Sequence, residues 1–107
     1  MIEDILESKE VIITKLGVNH EIEGQKFDEL AVTNKRLIFY KRTGLIFKKD
    51  TCSSVGYSQL GNVNYKEKGV IRKKGELTLI LNSGKSFTIE GKPSEIKYIY
   101  QNIVSQQ

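Results

Sequence analysis

A mainly β fold of the α+β kind, about seven short strands closed by one C-terminal amphipathic helix, is what this 107-residue sequence predicts. Three observations carry it. Runs rich in β-branched and aromatic residues recur between turn residues from Glu10 to Gly91. Asn- and Gly-containing turns sit between those runs at hairpin spacing. After Pro93 the apolar residues change from a period of two to a period near 3.6.

The elements follow in order. In residues 1–9, Ile2, Ile5 and Leu6 share one helical face, a short helix that needs docking because so few residues cannot hold a helix in water. Glu10–Leu16 reads as a strand, with Gly17-Val18-Asn19 and Gly24-Gln25 as turn material. Phe27–Thr33 alternates Leu30 and Val32 on one face. Thr33-Asn34-Lys35 reads as a tight hairpin turn, since Asn tolerates left-handed backbone. In the strand Lys35–Arg42, Leu37 and Phe39 point one way, Ile38 and Tyr40 the other.

Thr43-Gly44 then turns the chain into Leu45–Lys49. Ser53–Leu60 and Val63–Lys68 are strands parted by Gly61-Asn62. Glu76–Leu81 and Ser86–Glu90 flank a turn at Asn82–Lys85, with Leu77, Leu79 and Leu81 opposite Phe87 and Ile89. Residues 93–106 form the helix: Pro93 suits its first turn, and Ile96, Ile99, Tyr100 and Ile103 make its apolar stripe. An open-ended small barrel or sandwich needs such a cover.

Composition bounds the function. With 38% hydrophobic and 28% charged residues the chain is globular, and residues 1–107 make one domain with no room for a separate catalytic unit. A lone Cys52 excludes an internal disulfide and any multi-cysteine zinc site. No apolar run approaches the length needed to span a membrane, and the acidic start Met1-Ile2-Glu3-Asp4 is unlike a signal peptide. A cytoplasmic protein, able to sit peripherally at a membrane, is the expectation.

Charge is unevenly placed: residues 1–29 carry a net −5 and residues 30–107 a net +9. Two stretches repeat one arrangement, Lys41-Arg-Thr-Gly-Leu-Ile-Phe-Lys-Lys49 and Lys66-Glu-Lys-Gly-Val-Ile-Arg-Lys-Lys74. Each sets a short apolar tip after a glycine and brackets it with basic residues. As an interfacial membrane contact, Lys41, Arg42, Lys48, Lys49, Lys66, Lys68, Arg72, Lys73 and Lys74 supply charge, and Leu45, Phe47 and Ile71 supply insertion. The competing reading turns Ile46 and Ile71 inward as strand residues and leaves the lysines as a solvated rim.

The run Leu30-Ala-Val-Thr-Asn-Lys-Arg-Leu-Ile-Phe-Tyr40 resembles the strand-turn-strand signature of prokaryotic pleckstrin-homology-like domains and the related GRAM domains. Ser54–Val63, a Gly-Glu-Leu-Thr-Leu hairpin at Gly75–Leu79 and the terminal helix follow in the family's order. The resemblance implies a seven-stranded, strongly bent antiparallel sheet, a partly open barrel capped by the C-terminal helix. It implies no particular activity, because one fold serves many functions, and a non-catalytic binding module is the expected role. Eukaryotic members that bind inositol phosphates carry a basic motif across the first two strands. Here that region holds Lys15 and Lys26 but also Glu21, Glu23, Asp28 and Glu29, which argues against such a pocket there.

Catalysis finds little support. His20 is the sole histidine, Asp28 and Glu29 point to opposite faces of a strand, and no phosphate-cradling glycine loop occurs. No cofactor, metal or small-molecule substrate is expected. The partner is then another protein, a second copy bound through an open strand edge, or an anionic membrane lipid. A further alternative uses Phe39, Tyr40, Tyr57 and Tyr65 among the basic residues to stack single-stranded nucleic acid.

Overall fold

The computed structural model describes residues 2–107. Strands β1 (Ile12–Ile22), β2 (Gln25–Thr33), β3 (Arg36–Thr43) and β4 (Lys49–Gly56) form one antiparallel sheet in chain order. Strands β5 (Leu60–Lys68), β6 (Lys74–Leu81) and β7 (Ser86–Gly91) form a second, followed by α1 (Pro93–Gln106). The seven strands thus sort into two sheets and do not close into a barrel. Contacts divide the chain into two units, one through Val55 and one from Gly56 onward.

In the first unit, β1 and β2 meet through Glu23 and Gly24, both at positive φ (50° and 83°), between the paired Ile22 and Gln25. This is the mirror-image turn whose twist matches a hairpin. The expected turn at Gly17–Asn19 does not form. β1 runs through it with a register shift between Gly17 and His20, so the glycine marks a bulge.

Leu37–Tyr40 are all buried, and their alternation divides two layers. Ile38 and Tyr40 pack with Ala31 and Ile2, flanked by Ile5, Leu6 and Ile12. On the other side the Phe39 ring meets His20 at 5.2 Å and Phe27 at 6.1 Å. The N-terminal helix shrinks to one 3-10 turn, Ile2–Ile5, and Met1 lies outside the described residues.

The Thr33–Arg36 turn fastens that N-terminal segment. Arg36 donates Nε to Glu10 Oε2 and Nη2 to Glu10 Oε1, each at 3.0 Å, and also reaches the Ile5 carbonyl at 3.1 Å. Thr33 Oγ1 donates to Glu10 Oε2 at 2.6 Å and accepts the Lys35 and Arg36 amides. The Asn34 side chain accepts the Val11 amide at 2.8 Å and donates to the Lys9 carbonyl at 3.1 Å. Asn34 therefore earns its place through its amide group; the non-glycine residues at positive φ among those described are Lys9 (φ 64°) and Glu23. Glu10 has a fully buried side chain, and the Arg36 guanidinium holds its carboxyl down at about 2.

In the second unit a 3-10 turn, Tyr57–Gln59, makes the corner before β5, not the expected Gly61-Asn62. Gln59 Oε1 accepts the Gly56 amide at 2.7 Å, and Asn82 Nδ2 donates to the Ser58 carbonyl at 2.9 Å. Gly61 lies within β5 beside an irregularity in the ladder. Leu77 pairs with Ile89 and Leu79 with Phe87, as the alternation requires. Leu77, Leu79, Ile89, Ile96, Ile99 and Ile103 are buried, and α1 lies on this sheet. Gly75 permits the close approach: a Cβ there would stand 3.0 Å from Pro93 Cα and 2.9 Å from Ile96 Cβ.

Candidate functional site

The two repeated sequence stretches fold into two similar tips, one in each unit. β3 leads through Gly44 into Leu45-Ile46-Phe47 and returns at Lys49; β5 leads through Gly69 into Val70-Ile71-Arg72 and returns at Lys74. Both glycines take positive φ, 93° and 106°. At both, a Cβ would collide with the carbonyl oxygen three residues on, 2.1 Å away at Phe47 and 2.4 Å at Arg72. The turn closes over the glycine, which is why only glycine fits.

This geometry overturns two expectations. Leu45–Lys49 is not a strand: residues 45–47 form the tip and β4 begins at Lys49. Nor do Ile46 and Ile71 turn inward, being 85% and 94% exposed. Leu45, Phe47 and Val70 are at least 90% exposed as well. A tight turn cannot alternate its side chains across a sheet, so the whole apolar sequence of each tip faces solvent. Five large apolar side chains in water are what a surface without a partner avoids.

The basic residues around the tips divide by pairing. Arg42 makes a two-pronged bond to Asp50, 2.5 Å from Nε and 2.9 Å from Nη2, across the base of the first hairpin. That bond holds the Asp50 carboxyl well below its usual range and raises Arg42. Lys68 bonds Glu76 at 2.5 Å and Glu90 at 3.1 Å, and Lys66 stands 3.6 Å from Glu76. Those contacts lower the Glu76 carboxyl and raise Lys68, with the Lys68–Glu76 hydrogen bond leading in both. Lys41, Lys48, Lys49, Arg72, Lys73 and Lys74 have no ion pair among the described residues.

The remaining candidates sit elsewhere. Phe39, Tyr40 and Tyr57 are buried, and Tyr65 lies beside Tyr100 at 5.9 Å with its hydroxyl on Glu67, so these four rings form no open stacking platform. His20 is partly covered, and burial lowers its pKa. Among the described residues no group of three or more His, Cys, Asp or Glu side chains is placed to hold a metal. Sequence reasoning missed the acidic partners, Asp50, Glu76 and Glu90, that decide which cations are engaged. The hairpin register could have found them, since Lys66 faces Glu76 and Glu76 faces Glu90.

A model of the bacterial PH domain family matches residues 4–106. Two solved structures are similar in fold. A DUF1696 family protein with a pleckstrin-homology domain from Shewanella loihica PV-4 aligns at 22% identity and a TM-score of 0.70, over 97% of this chain and 85% of that one. A pleckstrin homology domain from Shewanella amazonensis SB2B aligns at 20% identity and 0.61, over 96% and 92%. No curated protein matches the chain.

Proposed function

Since the chain belongs to the bacterial PH domain family, a family of non-catalytic binding modules, we propose that this one makes peripheral contact with anionic membrane surfaces through its two glycine-led tips. The observation that carries the reading is the near-complete exposure of Leu45, Ile46, Phe47, Val70 and Ile71, with basic residues on both sides of each tip. Inserting one such side chain to the acyl boundary is worth about 1.5–3 kcal/mol, and each nearby lysine or arginine adds about 1 kcal/mol at an anionic leaflet. Three apolar residues or two, with three cations at each tip that have no ion pair among the described residues, therefore suffice for weak reversible binding at each tip.

A nucleic-acid partner is less well served, because bases need exposed rings and the candidate aromatics are buried or occupied. Self-association through a strand edge has less behind it than the tips. The longest edge, β1, is interrupted by its bulge at Gly17–His20, which twists an edge away from pairing.

The test is co-sedimentation with vesicles of rising phosphatidylglycerol content at low and at physiological salt. Binding should rise with anionic lipid, fall with salt, and drop severalfold in Phe47→Ser and in Ile71→Ser without a change in unfolding midpoint. If the wild-type protein stays in the supernatant at low salt while light scattering shows oligomers, a second copy and not a membrane covers the tips.

A further inference from the structure

The geometry points to a phosphate-monoester site at one end of the second sheet, in an open groove between the β5–β6 tip and the start of α1. It deepens the membrane reading and rests on it only for the source of the ligand. The groove is ≈ 450 Å³ and is lined by Arg72, Lys73, Lys74, Glu90, Gly91 and Lys92. Lys92 carries no apolar tip and belongs to neither basic stretch; the register brings it in.

On β6 and β7 the last paired residues are Gly75 and Gly91, and one step beyond them in the same register stand Lys74 and Lys92. On the other side of β6, Lys74 faces Lys68 of β5. Three ammonium groups thus occupy neighbouring positions across the end of one sheet, where like charges directly opposite destabilise the pairing. Lys68 is neutralised by Glu76 and Glu90. Lys74 and Lys92 are not, and the loop adds Arg72 and Lys73 beside them. None of these four has an ion-pair partner among the described residues, and the groove's one carboxylate, Glu90, is already held by Lys68.

Backbone and core packing keep these cations together against their repulsion. Gly69 sets the tight turn that delivers Arg72 and Lys73. Gly75, having no side chain, lets Pro93 and Ile96 lie against β6 and so anchors Lys92 at the end of β7. Four donors around a groove of this size, with no free internal anion, are complementary to a compact group of two negative charges and several acceptor oxygens. A phosphate monoester is such a group; a phosphodiester carries half the charge and fewer free oxygens. Both a lipid headgroup and a soluble organic phosphate present that chemistry.

Titration of isotope-labelled protein with glycerol 3-phosphate at constant ionic strength, followed by amide NMR shifts, tests the groove. Saturable shifts confined to residues 72–74 and 91–92 are expected, with affinity at least about tenfold weaker in Lys74→Gln/Lys92→Gln, a variant that should unfold no sooner than wild type. Vesicles containing phosphatidic acid or phosphatidylglycerol at equal surface charge then separate the sources. A severalfold preference for phosphatidic acid that the double variant loses assigns a lipid headgroup. Saturable glycerol 3-phosphate binding without vesicle preference assigns a soluble organic phosphate.

A linear response matched by sodium chloride, with equal binding to both vesicles, overturns the groove and leaves the tip contact standing. Saturable glycerol 3-phosphate binding by a protein that ignores every vesicle upholds the groove and overturns the membrane reading.

Discussion

Two basic turns of this chain, Thr33–Arg36 and Gly69–Lys74, meet opposite fates. In the first, Arg36 is consumed by Glu10 and by the Ile5 carbonyl, Lys35 reaches the Ser8 carbonyl at 2.9 Å, and Asn34 and Thr33 bind the residues around them. In the second, Arg72, Lys73 and Lys74 stand without ion-pair partners among the described residues, beside two exposed apolar residues. The turn with the most recognisable sequence is a fastening of the fold, while the less recognisable one offers its charge outward. Counting cations cannot separate the two; finding their carboxylates does.

The largest test of this contrast is stability. Arg36→Met leaves Glu10 buried and unpaired, and chemical denaturation should show a loss of about 3–5 kcal/mol. Lys73→Gln/Lys74→Gln should leave the denaturation midpoint where it was. An equal loss in both variants would mean that the second turn is also structural.

Acid sharpens the same comparison. The folded Glu10 carboxyl, at about 2, lies below its ordinary 4.5, so the unfolded chain binds the extra proton. Its contribution, roughly 3 kcal/mol, is complete above about pH 4.5 and fades as pH falls toward 2. Urea midpoints measured across that range should show the decline in wild type and a flatter profile in Glu10→Gln.

A smaller effect is expected at the tip glycines. Gly44→Ala and Gly69→Ala force a Cβ into positive φ and against a carbonyl, at a cost of about 1–2 kcal/mol or a remodelled tip. Both should reduce vesicle binding by displacing the apolar residues. Gly84→Ala is the control: it shares the positive φ but has open space for a Cβ, so it should lose some stability and keep vesicle binding.

Much of the fold was legible because short-range physics dictates it. The two-residue alternation of Leu37–Tyr40 sorted those side chains correctly between two layers, and the Ile96, Ile99, Ile103 spacing placed three buried residues on α1. Misreadings came where local and long-range preferences compete. Gly17–Asn19 carries turn residues, yet β2 offers hydrogen bonds on both sides of it, and the ladder absorbs the glycine as a bulge. Leu45–Phe47 is an apolar run fit for a strand, yet the closed turn over Gly44 denies it a partner.

From the sequence alone came the strand-rich class, the capping helix, the family resemblance and the two basic, apolar-tipped stretches, all properties of residues near one another in the chain. Tertiary structure alone decided which cations are engaged, since the carboxylates that hold them lie 8 to 28 residues away, as with Asp50 for Arg42, Glu10 for Arg36 and Glu7 for Lys35. It also decided that Lys92 stands one register step from Lys74, across a ladder joining residues far apart in sequence. Electrostatic pairing acts over a few ångströms of space, and only the folded chain sets those distances.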